Sequence, residues 1–424
     1  MPAAEKPSAP FTSDDLNEFF SPVRGAGRIA LAVSGGSDST ALLMLARAWA
    51  AGMPDSPALS VLTVDHGLRP QSAGEAADVA RRAKELGVDH AILPWTGQKP
   101  RTGLQNAARM ARYDLMTGWC RANGVRYLLT GHTIEDQAET IVMRLARGTG
   151  IEGLSGMAAP RALNGIMILR PFLSVGRQRL RDHLTALGVG WSDDPSNTNE
   201  TFERVRVRKE APAFARAGLT PQALAQTAHR ALRVHRALDR AVRDFLRLHY
   251  RHHREGYCEV EHAAFLDLPE EIRIRVLDVL LETYGPGTRA ELAGLERLER
   301  WFASDTPSRR ATLGGCQVSL RARHFLVGRE PGRIDRTPVP LTPGASLVWD
   351  GRCTVEAGWA TPPLTVRPAV ALSGLKRAEG LPAFVQAGVP VFCDGDHRPV
   401  AAPHIGLHAN GLEIRAVFAD LRWH

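Results

Sequence analysis

The 424-residue sequence is poor in cysteine: it has five, Cys120, Cys258, Cys316, Cys353 and Cys393, and no two of them form a C-x-x-C pair. An odd, scattered set of thiols argues against a disulfide framework and against a cysteine-built metal site. It fits the reducing cytoplasm. Long apolar runs are also missing. The N-terminus, MPAAEKPSAPFTSDDL, offers no apolar core for a signal peptide, and the most apolar stretch, residues 41–51, is interrupted by Arg47. No membrane span is expected. The sequence shows no internal repeat and no low-complexity tract, and the lysine-bearing G-x-x-x-x-G-K-[ST] loop of ordinary phosphoryl-transfer NTPases occurs nowhere in it.

What is present is an ordinary globular composition in a chain long enough for two or three domains. The formal charge is +8 at pH 7, and it is unevenly spread. Residues 161–254 hold 17 Arg and 1 Lys against 5 Asp and 3 Glu, a local net charge of +10. Such an excess favours an anionic partner, although a charge run is also what a solvated helix face looks like.

Residues 29–33, Ile-Ala-Leu-Ala-Val, read as a short, wholly apolar strand of the kind buried in a parallel sheet, and residues 39–51 follow with helical composition. The unit repeats, with strands at 59–64, 90–94, 126–130 and 166–169 and helices at 72–86, 104–122 and 135–147. This alternation predicts an α/β fold with a doubly wound, parallel five-stranded sheet over residues 1–215, with ligands at the carboxyl ends of the strands. Past Asp194 the strand signal fades. Leu224, Ala228, Ala231, His235, Leu238, Val242 and Phe245 recur at helical spacing, with Arg230, Arg233, Arg236, Arg240 and Arg243 between them. Residues 216–330 are therefore expected to be a mainly helical domain whose long helix has a basic face, with His235 packed in its apolar stripe. Residues 331–345, rich in Pro and Gly, read as a linker. Beyond it, Asp350-Gly351 and Asp394-Gly395 each follow an apolar run, which suggests a small β-rich C-terminal domain over 346–424.

The densest chemical signal is Ser34-Gly35-Gly36-Ser37-Asp38-Ser39, set between the first strand and the first helix of the repeat. There, backbone N–H groups at a helix N-terminus can surround phosphate oxygens. Gly35 and Gly36 allow close approach and are expected to take positive φ, and Ser34, Ser37 and Ser39 add hydroxyls. A bare carboxylate would repel a polyphosphate, so Asp38 implies Mg²⁺ between them, bound directly or through water.

This loop resembles the S-G-G-x-D-S signature of the PP-loop (N-type) ATP pyrophosphatases, which use it to hold the departing pyrophosphate while AMP is transferred to a substrate oxygen. Further segments resemble the tRNA(Ile)-lysidine synthase family within that superfamily. They are Val64-Asp65-His66-Gly67-Leu68-Arg69; Gln105-Asn106 with Ala108-Arg109 and Arg112-Tyr113; Gly131-His132-Thr133-Ile134-Glu135-Asp136-Gln137-Ala138-Glu139-Thr140; and Asp194-Pro195-Ser196-Asn197. The likeness is dense to about Arg208 and thinner beyond it. It implies ATP and Mg²⁺, L-lysine and a tRNA(Ile) with a CAU anticodon, and no obligate protein partner is evident.

The implied reaction needs an amine freed of its proton and a carboxylate near the lysine charge. Asp136 and Glu139, three apart in the first turns of a predicted helix, can face one substrate. By resemblance Asp136 is the base and Glu139 the lysine ligand, while acids at a helix N-terminus are also favoured by the macrodipole alone. His132 is a candidate for lysine or nucleotide and equally for a turn histidine bonded to backbone. Arg112 suits the lysine carboxylate or a phosphate, or a plain surface position. Asp65 and His66 follow the second strand, where nucleotide is expected, although an Asp side chain also holds turns. Residues 204–208, Arg-Val-Arg-Val-Arg, alternate as a half-buried strand or loop edge would. Arg204 and Arg208 match the family's R-N-x-x-R, with Val205, which cannot hydrogen-bond through its side chain, where Asn is usual; Arg204 is a candidate for stabilising adenylate charge or reaching tRNA phosphate, and Arg208, with Arg233, Arg236 and Arg240, for tRNA phosphate. Glu135 stands where the family more often has Asp.

Three other readings compete. A thiolase of this superfamily would be expected to carry C-x-x-C pairs, and a glutamine-dependent GMP synthetase would need an ammonia source. A noncatalytic RNA-binding module with a relic loop is opposed by the intact loop and by Asp136 and Glu139.

Overall fold

The structure is a computed structural model that describes residues 9–67, 72–97, 99–100, 102–157, 160–192, 201, 203–287, 289–304, 309–408 and 411–421. Leu68, Arg69 and residues 194–197 lie outside the described residues, as does the side chain of Gln105. The chain divides into two compact units, Met1–His235 and Arg236–His424.

The first unit runs α1 (Ser13–Phe20), β1 (Arg28–Ala32), α2 (Ser37–Ala51), β2 (Ala58–Asp65), α3 (Ser72–Glu85), β3 (Asp89–Pro94), α4 (Leu104–Ala122), β4 (Tyr127–Thr130), α5 (Ile134–Leu145), α6 (Ile151–Leu154), β5 (Arg161–Leu163), β6 (Ile166–Leu169), α7 (Arg177–Ala186) and α8 (Glu203–Arg216). Its sheet has the order β3-β2-β1-β4-β6-β5. Five strands are parallel, as the sequence pattern predicts, and β5 adds an antiparallel edge. After the exposed Arg28, β1 is apolar because both its faces are covered: Ile29 and Leu31 pack with Leu42, Leu45 and Trp49 of α2, while Ala30 packs with Met116 and Cys120 of α4. The chain order reverses between β1 and β4, so the loops after these two strands open the crevice in which such sheets bind ligands.

Helix α9 (Pro221–His249) contains the boundary between the units. Its predicted stripe holds: Leu224, Ala228, Ala231, Val242 and Phe245 are buried, and His235 and Leu238 are half-buried. Arg230, Arg233, Arg236, Arg240 and Arg243 are all exposed.

The second unit is less helical than the sequence pattern suggests. β7 (Tyr250–His253), β8 (Tyr257–Glu261), β9 (Arg310–Leu313), β10 (Cys316–Leu320) and β11 (His324–Arg329) form a five-stranded antiparallel sheet, accompanied by α10 (His262–Leu266), α11 (Glu270–Tyr284) and α12 (Leu292–Phe302). These strands are only four to six residues long, so their apolar residues, packed with Leu277, Leu281 and Leu298 among others, form runs too brief to stand out. Residues 331–345 are not structureless, since they hold β12 (Val339–Leu341).

β12 joins β15 (Leu364–Pro368), β16 (Pro390–Cys393) and β17 (Pro399–Ala401), with α13 (Ala383–Ala387) between β15 and β16; β13 (Ser346–Trp349), β14 (Cys353–Ala357) and β18 (Ile414–Phe418) make a further sheet. The predicted Asp350-Gly351 turn connects β13 to β14, with φ of 48° and 69°. Both residues take the left-handed geometry that a tight hairpin requires. All five cysteines are buried and unpaired, and among the described residues no helix is long and apolar enough to cross a membrane.

Candidate active site

The loop after β1 turns through Gly35, at the expected positive φ of +88°, into the N-terminus of α2; Gly36 does not share that geometry but is the extended N-cap, at φ −71°, without a side-chain cap. The first N–H groups of α2 therefore have no intrahelical acceptor and face the cleft. The hydroxyls brace the loop: Ser39 Oγ accepts from Ser34 N at 3.1 Å and donates to the Gly36 carbonyl at 3.0 Å. Gly131, after β4, approaches this loop so closely that a Cβ there would stand 2.6 Å from the Asp38 carbonyl oxygen. Only glycine fits between the two switch-point loops. Around them lies a cleft of about 1370 Å³, lined by Ser34, Gly36, Ser37, Asp38 and Ser39 and, from other segments, by His66, Arg109, Arg112, His132, Asp136, Arg177, Arg181, Arg204 and Arg208.

Three carboxylates meet three guanidinium groups here. Arg177 Nε donates to Asp38 Oδ2 at 2.9 Å, and Nη2 of the same residue donates to Asp136 Oδ1 at 3.2 Å. Asp136 Oδ2 closes a capping box by accepting from Thr133 N at 2.9 Å. Arg204 Nε donates to Glu139 Oε2 at 2.8 Å, and Arg208 Nε donates to Glu139 Oε1 at 2.7 Å. Burial pushes the Asp38 carboxyl up, against the pull of Arg177. Burial acts on Asp136 in the same direction, but Arg177, Arg204 and the Thr133 N–H together outweigh it and hold Asp136 below its ordinary value. Asp136 is thus ionised at neutral pH.

The histidines of the cleft are neutral. Burial, with Arg112 beside it, pushes His66 down to about 4. His132 is lowered chiefly by burial, and its Nδ1 lies 2.8 Å from Thr130 Oγ1. Among the described residues no group of three or more His, Cys, Asp or Glu is placed to hold a metal ion.

Residues 10–212 match the PP-loop domain. Over 348 residues the chain is 38% identical to a tRNA(Ile)-lysidine synthase of Bradyrhizobium diazoefficiens, covering 77% of this chain and 96% of the relative. It is 43% identical over 318 residues to one of a Methylobacterium species, covering 73% and 90%. With one of Ruegeria pomeroyi it shares 38% over 396 residues, covering 91% and 90%. The chain belongs to the tRNA(Ile)-lysidine synthase family. As a PP-loop enzyme of that family it uses ATP.

For this lysidine-synthase chain the structure sorts the residues singled out from the sequence. Asp38, His66, Arg112, His132, Asp136, Arg204 and Arg208 line one cleft, and Glu139, only 6% exposed, sits behind it in the grip of two arginines. Asp65 holds a turn, accepting from Gly67 N and Ser72 Oγ, each at 2.8 Å. Arg204 and Arg208 lie one turn apart on α8, not on a strand or loop edge, which is how both reach one carboxylate. Val205, in the position where the family usually has Asn, is half-buried on that helix. Among the cleft residues that escaped the sequence reading are Arg177 and Arg181, on α7. Their i, i+4 spacing was the available signal, but it was lost among the many arginines of that region.

Proposed function

We propose that the protein ligates L-lysine to C2 of the wobble cytidine of a tRNA(Ile) with a CAU anticodon, forming lysidine and switching decoding from AUG to AUA. The cytidine C2 oxygen attacks the α-phosphorus of ATP and releases pyrophosphate; the lysine ε-amine then attacks C2 and displaces AMP. The observation that carries the reading is the close approach of Gly131, in the loop that leads to α5 and Asp136, to Asp38 at the start of α2, at the crevice between β1 and β4. It places a phosphate-holding backbone beside an ionised carboxylate suited to an ammonium group.

Within this reading the N–H groups at the start of α2 and the hydroxyls of Ser34, Ser37 and Ser39 bind the polyphosphate. Asp38 is the residue that would hold Mg²⁺, directly or through water. Magnesium there supplies the positive charge that offsets the polyphosphate. Asp136 receives the lysine ammonium and takes its proton, while His132 and Arg112 border the lysine site and His66 the nucleotide. Arg204 faces developing charge on the adenylate, and Glu139 sets the positions of Arg204 and Arg208; a direct contact of Glu139 with lysine requires one of them to release it. The exposed Arg233, Arg236 and Arg240 suit tRNA phosphates, and the unpaired thiols suit the cytoplasm.

The test is transfer of radiolabelled lysine to unmodified tRNA(Ile) in the presence of ATP and Mg²⁺. Absence of transfer with RNA binding retained would refute the reading. Asp38→Ala is expected to abolish pyrophosphate release while tRNA binding survives; continued release would remove Asp38 from the magnesium site.

A further inference from the structure

The PP-loop of this chain holds no basic residue, and its one charged side chain, Asp38, has the sign of the ligand it must bind. Loops of the G-x-x-x-x-G-K-[ST] kind supply a lysine to the terminal phosphates. Here the cations come from α7. This helix packs along α2, and its first residue is fixed from outside, because Arg177 N donates to both carboxylate oxygens of Glu135 at 3.1 and 3.0 Å. The Arg177 guanidinium thereby lies on Asp38, and Arg181, one turn further along, has Nε 3.4 Å from Ser37 Oγ. Both side chains line the cleft that the loop opens into.

We infer that Arg177 and Arg181 are a polyphosphate-binding pair that takes the place of the missing loop lysine, gripping the two phosphates that leave as pyrophosphate. The contacts of Arg177 with Asp38 and Asp136 use Nε and Nη2, two of its five N–H-bearing directions, so it can keep its carboxylate contact and still donate to phosphate. The forked geometry suits two phosphate oxygens better than a point charge does. Glu135 is the positioning residue of the pair. Its longer side chain, where the family more often has Asp, reaches the start of α7.

This inference rests on the ATP site alone, not on the lysine or tRNA reading, and its probe is inorganic pyrophosphate with Mg²⁺, titrated calorimetrically into the full chain. Arg181→Met is expected to weaken pyrophosphate binding about tenfold or more, the size of a missing charge-assisted hydrogen bond, and to leave the binding of adenosine, which has no phosphates, unchanged. Arg177→Lys keeps a charge near Asp38 and Asp136, protects the fold, and is expected to lose several-fold in the same titration. Glu135→Gln, which acts through α7, is expected to lower pyrophosphate affinity without lowering that for adenosine. Wild-type pyrophosphate affinity in both arginine variants would overturn the inference, as would an equal loss of adenosine affinity in Arg181→Met. Pyrophosphate binding that follows the arginines in a protein that never transfers lysine would support it while refuting the proposed reaction.

Discussion

Glu139 is the carboxylate whose removal has the most directly derivable consequence. Its side chain is 6% exposed, and three N–H donors from Arg204 and Arg208 reach it at 2.7 to 3.2 Å. Breaking a fully buried ion pair from one side costs about 3–5 kcal/mol, because the remaining charge is left without a partner. Here the surviving charges are 30% and 35% exposed, so water recovers part of that loss, and Glu139→Gln is expected to cost about 2–3 kcal/mol. The measurement is a double-mutant cycle with Arg208→Met, read by urea denaturation. The two losses should fall short of additivity by about 1–2 kcal/mol, since each variant removes the same ion pair. Lysine transfer measured on the same proteins separates roles: a positioning role makes Glu139→Gln and the double variant nearly equal in kcat, whereas a direct lysine contact makes Glu139→Gln raise KM for lysine with Arg208→Met silent. Additive stabilities, with a cost below about 0.5 kcal/mol for Glu139→Gln, would refute the coupling of Glu139 to these arginines.

Gly131→Ala brings a methyl group 2.6 Å from the Asp38 carbonyl oxygen, and backbone has to move; a cost of about 1–3 kcal/mol and at least a tenfold loss of pyrophosphate release are expected, against which wild-type release would count. His66 has a folded value near 4 against 6.5 for an ordinary histidine, so the unfolded chain binds the extra proton between those values. Stability is then full above 6.5 and falls as pH drops towards 4, and His66→Gln should flatten that slope in pH-dependent thermal melts; an unaltered slope would show that the ring does not contribute. Replacing Arg230, Arg233, Arg236, Arg240 and Arg243 by Ala should weaken tRNA binding and shrink its salt dependence by about 0.7–0.9 log units for each phosphate no longer neutralised, while an unchanged slope would make this a merely solvated face.

The first unit is legible in the sequence because its signals are strong and local. A strand buried on both faces must be apolar throughout, as Ile29, Ala30 and Leu31 are, and helices of ordinary length closed by Gly87 and Gly148 fall between such strands. The α9 stripe is legible for the same reason, being 29 residues of one period. β5 and the five-stranded sheet of the second unit are not. β5 has three residues, and β8 alternates Tyr257, Cys258, Glu259, Val260 and Glu261, a pattern too short to compete with the helices around it.

The site divides along a physical line. Its carboxylates, Asp38, Asp136 and Glu139, stand in motifs whose neighbours are dictated by glycine turns and helix starts, and they can be read from the sequence. Of their counter-ions, Arg204 and Arg208 are marked by the R-x-x-x-R spacing they share with the family, whereas Arg177 comes from a stretch holding 17 arginines and stands in no motif that picks it out as turning inward. That pairing bears on the chemistry of Asp136. A carboxylate held below its ordinary value by Arg177 and Arg204 is a good partner for an ammonium ion and a weak acceptor of its proton. The same guanidinium groups that keep Asp136 charged for lysine therefore oppose its service as a base. A polyphosphate bound at Arg177 would ease that opposition, because its negative charge offsets the guanidinium field that holds Asp136 down. In the proposed reaction, phosphate binding at the loop and proton acceptance at Asp136 would in this way be linked through one side chain, Arg177, which no motif in the sequence marks.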